Sequence, residues 1–272
     1  MTEKTKEDDS VKSAAVRGAW DTNAAHWDRR VGEGNTFSEH LVRPAEEALL
    51  HIEGRARVLE FACGNGVHSR RLARRGASVL ATDISPRLID LARARTAPEL
   101  AVEYRVVDAG SVRDLETLPP HFDAVVCHMA IFDMPRIDRV FAAAASRLSG
   151  RGSFIVSSVH PCFNQAGAHM FAESTEDADG VTREVYGVRV SEYGQSYEFL
   201  GRAHHDSPVP HPIVHRPIAE VITEAVGAGL VLTGLVEPTL PLEDKPSRHA
   251  LAWDARFAKI PPVIVYRFER RA

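Results

Sequence analysis

The stretch Val58-Leu59-Glu60-Phe61-Ala62-Cys63-Gly64-Asn65-Gly66 passes from an apolar, β-prone segment into a turn with two glycines, and Asp83 ends a second apolar run seventeen residues beyond Gly66. A strand that breaks into a glycine turn, opens a helix and is answered by a distant carboxylate describes a pocket for a nucleoside-containing cofactor. A dinucleotide site favours a third glycine, which lets helix and strand pack closely around a pyrophosphate. Here the run continues as Gly64-Asn65-Gly66-Val67-His68-Ser69, without that glycine.

Working outward, β-rich runs at 57–61, 78–82, 102–107, 123–128 and 152–159 alternate with helix-spaced segments at 66–75, 85–95 and 135–148. This alternation implies βαβ units and a parallel sheet covered on both faces. Ser85-Pro86 reads as an N-cap followed by proline at the first helical position. A helix at 217–228 and strands at 230–236 and 263–268, joined by a polar loop, bring the strands to seven, the last two in sequence forming an antiparallel edge. The expected fold is therefore α/β, Rossmann-like, with a seven-stranded and mostly parallel sheet, an antiparallel last strand and helices on both faces. Residues 1–13 read as a mobile polar tail and 14–272 as a single domain. Within it, 14–50 form an N-terminal helical cap, in which Trp20 and Trp27 stand two helical turns apart on one face. Residues 160–212 show little periodicity and form an insertion long enough to be a substrate lid.

The composition is that of a globular chain, 44% hydrophobic and 26% charged, with a formal net charge of -4. That charge supplies no footprint for nucleic acid, and Arg70, Arg71, Arg74 and Arg75 read as one solvated helix face. Three scattered cysteines without a C-x-x-C pair suit a reducing cytosol, and no apolar run reaches membrane-spanning length. The expectation is a cytoplasmic protein acting on a small molecule, with neither nucleic acid nor membrane as partner. The oligomeric state, a homodimer included, is not legible.

Glu60-x-Ala62-Cys63-Gly64-x-Gly66 resembles motif I of the class I S-adenosylmethionine-dependent methyltransferases, with Ala62 where a first glycine is common. The resemblance is nearest the small-molecule branch related to quinone-biosynthesis methyltransferases. It implies S-adenosylmethionine as cofactor and S-adenosylhomocysteine as product. It also implies that Asp83 holds the ribose hydroxyls, Ile84 packs on the adenine and Asp108-Ala109 address the adenine amino group. His128, Met129 and Ala130 would meet the methionine end, with Trp20 and Trp27 as further candidates above the cofactor. A ribose diol donates two hydrogen bonds and a carboxylate can accept both, which agrees with the role implied for Asp83.

Methyl transfer from a sulfonium is an in-line displacement, so alignment and exclusion of water matter most. A base is needed when the acceptor must lose a proton. Of thirteen histidines, His128, His160, His204, His205, His211 and His215 cluster where a lid should meet the cofactor. His160 and His128 rank first because they follow strands, with His215 and Tyr193 as further catalytic candidates. His204, His205, Asp206, His211 and His215 offer ligand types, but their spacing matches no familiar helical pair and no metal is expected. The base-flipping D/N-P-P-Y signature is absent after the fourth strand. What remains is methyl transfer to an O, N or C atom of a small metabolite. The rivals are a binding protein or rearrangement catalyst on the same fold, and a nicotinamide oxidoreductase, which the missing third glycine disfavours.

Overall fold

In a computed structural model, the chain is described over residues 3–52, 54–240 and 257–271. Parallel strands β1 (Arg57–Phe61), β2 (Ser78–Asp83), β3 (Val102–Val106), β4 (Phe122–Cys127) and β5 (Leu148–Val159) are joined by β10 (Leu230–Val236) and β11 (Val263–Arg270) in one seven-stranded sheet. The strand order is β10-β11-β5-β4-β1-β2-β3, and β11 runs antiparallel to both of its neighbours. The expected architecture and all seven strands are present. Order reverses at β1, which pairs with β2 on one side and β4 on the other. The crevice beyond the carboxyl ends of those strands is where open α/β sheets bind ligands.

Alternation along the strands divides the core between the two faces. Leu59, Phe61, Val125 and Phe154 pack with Phe141 of α6 (Ile137–Arg147) and Val221 of α7 (Ile218–Gly227). Val58, Val79, Ala124 and Ile155 pack with Leu72 of α3 (Val67–Arg74) and Ile89 of α4 (Pro86–Arg95). Leu41, in the π-helical turn Ser38–Val42, and Ala45 of α2 (Arg43–Leu49) join this second cluster. Ser85 caps α4, its hydroxyl accepting from Leu88 N at 3.1 Å. A short α5 (Val112–Glu116) bridges β3 and β4.

Three regions differ from the sequence reading. Helix α1 spans Glu3–Val31, so it begins well before Ala14. The polar composition of its first turns argues against burial, not against helix, and Glu, Lys and Ala are good helix formers. In place of an irregular insertion over 160–212, the chain forms two antiparallel hairpins, β6 (Ala168–Glu176) with β7 (Thr182–Val190) and β8 (Tyr197–Gly201) with β9 (His211–His215). The largely exposed β6–β7 hairpin lacks the apolar alternation that marks a half-buried strand, and β8 and β9 are too short to show it. The arginines after motif I are not one solvated face. Arg70 is 0% exposed, donating to Asn65 O at 2.6 Å and pairing with Glu33 at 2.7 Å, while Arg74 and Arg75 stay exposed. The polar loop expected before β11 falls largely outside the described residues.

Candidate active site

A cleft of about 680 Å³ opens at the switch point, a size ordinary for a small-molecule site. Its floor is the turn after β1. Ala62 has φ +53° and Gly64 φ +57°, so the chain turns in the left-handed region that costs alanine but not glycine. Gly66 also has positive φ, but it does not line the cleft as its motif position implied. A side chain there would strike the Tyr104 ring and hydroxyl and Ala92 Cβ, so this glycine serves the packing of α3 against its neighbours.

Asp83 lies at the end of β2 and lines the cleft, its Oδ2 accepting from Gly64 N and its Oδ1 from Ser85 N, both at 2.9 Å. Burial pushes its carboxyl up to about 6 in spite of those two donors, with Glu60 and Asp21 nearby adding to the rise. Each carboxylate oxygen retains a second lone pair for a ligand. Ile84, Asp108, Ala109, His128, Met129 and Cys63 line the same cleft, so the residues singled out by motif converge. The Cys63 thiol is pushed well up by burial and by the Asp83 and Glu60 carboxylates, which removes it as a nucleophile.

Helix α1 forms the roof. Trp20 and Trp27 meet edge to face with centroids 5.3 Å apart, and Trp27 Nε1 sits 3.4 Å from where a side chain on Gly64 would begin. The helix is tied to the motif turn through Asp28, which takes two bonds from Arg95 (2.5 and 2.8 Å) and one from Asn65 (3.0 Å). Its Asn23 exchanges both amide hydrogen bonds with the backbone of Val209, at 2.9 and 3.1 Å. Phe199, Gly201, His204, His211, Ile213 and His215 bring β8, β9 and their connection into the cleft wall, whereas no residue of β6 or β7 lines it.

Two histidine–carboxylate groupings face the cleft. In the first, His211 of β9 is 1% exposed and lies against Trp20, ring centroids 4.9 Å apart and tilted by 45°, with its Nε2 3.2 Å from Asp133 Oδ1. The pair is at ion-pair distance without the alignment of a full hydrogen bond. Asp133 Oδ1 and His211 Nδ1 are thus buried polar atoms with no hydrogen-bond partner among the described residues. Burial raises the Asp133 pKa against the pull of His211.

In the second grouping, Glu46 of α2 is buried at 1% exposure between two imidazoles. His128 Nδ1 stands 2.9 Å from both of its oxygens and His68 Nε2 3.5 Å from Oε2. Burial opposes ionisation of Glu46, but His128, His68 and the Ser157 hydroxyl outweigh it and lower its pKa. The His68 and His128 rings stack, 4.9 Å apart and 13° from parallel. The other face of His68 contacts Glu60, Nδ1 to Oε1 at 3.2 Å, and Glu60 also accepts from Ser69 Oγ. Burial works against a charged His68, yet Glu60 and Glu46 on either side hold its pKa above the usual imidazole value.

The other catalytic candidates are turned to other uses. Ranked first with His128, His160 does not line the cleft, and both its nitrogens are engaged, Nε2 with Glu237 at 2.6 Å and Nδ1 with Cys162 N at 3.1 Å. A histidine just after a strand end can cap the following turn as readily as face a ligand. Tyr193 likewise stays out of the cleft, its hydroxyl accepting from Ile218 N at 3.2 Å. His215 does line the cleft, with Nε2 held at 3.0 Å from Tyr193 O. Asp206 pairs with Arg30 and His26, so the 204–215 ligand types do not converge. Glu46, His68 and Asp133 were missed because their partners lie far off in sequence. Their one local signal is a charged or polar residue inside an apolar-patterned segment.

A seven-stranded sheet with this order and an antiparallel β11, bearing an acidic residue after β2 beside a glycine turn, defines the class I methyltransferase architecture. Residues 58–152 match the methyltransferase domain family. The chain is 37% identical over 155 residues to a ubiquinone biosynthesis O-methyltransferase of Xanthomonas campestris pv. campestris (strain B100), covering 55% of this chain and 59% of that protein. It is 33% identical to the protein of the same name from Xanthomonas axonopodis pv. citri, again over 155 residues, 55% of this chain and 59% of the relative. The chain thus spans about three-fifths of the length of these curated relatives. Among solved structures, an S-adenosylmethionine dependent methyltransferase from Mesorhizobium loti superposes with a TM-score of 0.61 at 23% identity, covering 84% of this chain and 96% of that one. The CcbJ methyltransferase from Streptomyces caelestis gives 0.60 at 17%, covering 94% and 99%. Over residues 58–152 the chain thus matches a methyltransferase domain, and its fold is the one seen in solved S-adenosylmethionine-dependent methyltransferases.

Proposed function

We propose that this protein transfers the methyl group of S-adenosylmethionine to a polar small molecule enclosed between α1 and the β8–β9 hairpin. The donor side of the cleft fits that cofactor: Asp83 has lone pairs to spare for a diol, Asp108 and Ile84 stand beside it, and Trp27 roofs the motif turn. Bound there, S-adenosylmethionine supplies an electrophilic methyl carbon. The residues of this chain hold the adenosyl group, exclude water and orient the acceptor.

The observation that carries the acceptor half is His211 Nδ1, a buried atom of the cleft wall with no hydrogen-bond partner among the described residues, on a ring whose Nε2 lies 3.2 Å from Asp133 Oδ1. Buried polar atoms without partners cost about 1–3 kcal/mol each, so a site that keeps them is suited to a ligand that satisfies them. With Asp133 steadying Nε2, His211 is set to accept a proton at Nδ1 from a hydroxyl, amine or acidic carbon. The name of the Xanthomonas relatives favours an oxygen acceptor.

Calorimetric titration with S-adenosylhomocysteine tests the donor half. Binding is expected, and absence of binding together with binding of NAD would overturn it. For the acceptor half, the protein and labelled S-adenosylmethionine are incubated with hydroxylated aromatic and aliphatic acceptors. Label in an acceptor supports the reading, and saturable cofactor binding with no transfer to any acceptor class turns it toward a binding protein.

A further inference from the structure

Glu46, His68 and His128 come from α2, the first turn of α3 and the end of β4, and their ligand-capable atoms lie within 4.8 Å of one another. They are the only such group among the described residues. We infer that Glu46, His68 and His128 form a binding site for one divalent transition-metal ion of the zinc type, set against the cleft.

The distances fit a shared ion. Ligand atoms about 2.0–2.1 Å from a tetrahedral centre lie roughly 3.3 Å apart. The observed edges are 2.9 Å for His128 Nδ1 to Glu46 and 3.5 Å for His68 Nε2 to Glu46, the latter long for a hydrogen bond. Two imidazoles and one carboxylate select zinc, iron, cobalt or nickel over magnesium or calcium, which prefer all-oxygen cages.

The surroundings are those of a supported metal ligand. His68 turns its Nδ1 to Glu60, whose other oxygen accepts from Ser69 Oγ, giving the carboxylate–histidine arrangement that fixes which nitrogen faces a metal. Ser157 Oγ, fully buried, accepts from Met129 N at 2.9 Å and donates to Glu46.

Three protein ligands leave a coordination position open, and both histidines line the cleft. Coordination does not depend on methyl transfer. Its use, polarising an acceptor oxygen, rests on the function proposed above.

The test uses full-length protein without a histidine tag, stripped with chelator and titrated with Zn²⁺ by calorimetry and with Co²⁺ by absorption. One equivalent per chain with submicromolar affinity is expected, accompanied by proton release seen as a buffer-dependent heat. Glu46→Gln and His128→Ala should each weaken binding at least about 100-fold, and Glu60→Gln, which removes only support, about 10- to 100-fold. No uptake by the unaltered protein overturns the site, as does uptake indifferent to Glu46→Gln and His128→Ala. S-adenosylhomocysteine binding is measured on the same samples. Cofactor binding without zinc uptake sinks the metal site alone, and zinc uptake without cofactor binding sinks the methyltransferase reading alone.

Discussion

The two walls of the cleft are built on different principles. The donor wall is the edge of the sheet: Asp83, Ile84, Asp108, His128 and Met129 follow consecutive parallel strands, each held by the ladder beneath it. The acceptor wall is assembled from α1, the turn at Ile131–Asp133 and the β8–β9 hairpin, whose residues are far apart in the chain. A wall made from strand ends keeps its geometry while loops vary, whereas a wall made from insertions can change its acceptor without disturbing the sheet. Variants that separate cofactor binding from turnover test this division.

The largest effect is expected at His211. His211→Ala should lower turnover about 10²- to 10⁴-fold, the range of general-base contributions, and leave S-adenosylhomocysteine affinity within about twofold. Steady-state rates and calorimetry read the two quantities, and equal loss in both would merge the walls into one unit.

Next comes Asp83→Ala, expected to weaken cofactor by about 1–3 kcal/mol. Because Asp83 also holds Gly64 N and Ser85 N, thermal melting of the ligand-free variant must accompany the titration. Unchanged affinity refutes the ribose role, and a large loss of melting temperature assigns the effect to the turn.

The pH dependence follows from the same group. Its folded pKa of about 6 lies above the ordinary carboxylate value, so the stability tied to its neutral form is full below that ordinary value and is lost as pH rises through about 6. Accepting both ribose hydroxyls needs the ionised form. Cofactor affinity should therefore fall by up to about tenfold per unit below pH 6, while the ligand-free protein gains stability. Calorimetry at pH 5, 6 and 7 checks this, and a flat affinity profile contradicts it.

The smallest change is Ala62→Gly. Relief of a left-handed alanine should raise stability by about 1 kcal/mol, with cofactor binding preserved. A destabilised variant in denaturant titration would mean that the alanine methyl contributes packing worth more than the strain.

How much could be read from sequence divides along the same line. Strand ends, the glycine turn and Asp83 were legible because periodicity and motif spacing are local, and the sheet converts local spacing into a shared edge. Arg70 looked solvated because its charge and its i, i+4 neighbours carry no sign of Asn65 and Glu33 closing over it. His160 looked catalytic because it follows a strand, and nothing nearby in sequence announces its engagement with Glu237. Glu46, His68 and His128 form a group only after α2 has folded back on β4, a contact without a periodic signature. The β6–β7 hairpin escaped notice because strands that bury neither face carry no alternation to detect, and β8 and β9 because each is only five residues long.

Asn23 holds a consequence for exchange of ligands. Because one amide side chain grips Val209 from both directions, the roof helix and the 202–209 connection are latched to each other, beside the pairing of Arg30 and His26 with Asp206. On the proposed function, donor under Trp27 and product behind His211 share this latch on their way out. Replacing this asparagine with alanine should speed departure of both ligands in parallel, which stopped-flow release measurements can follow.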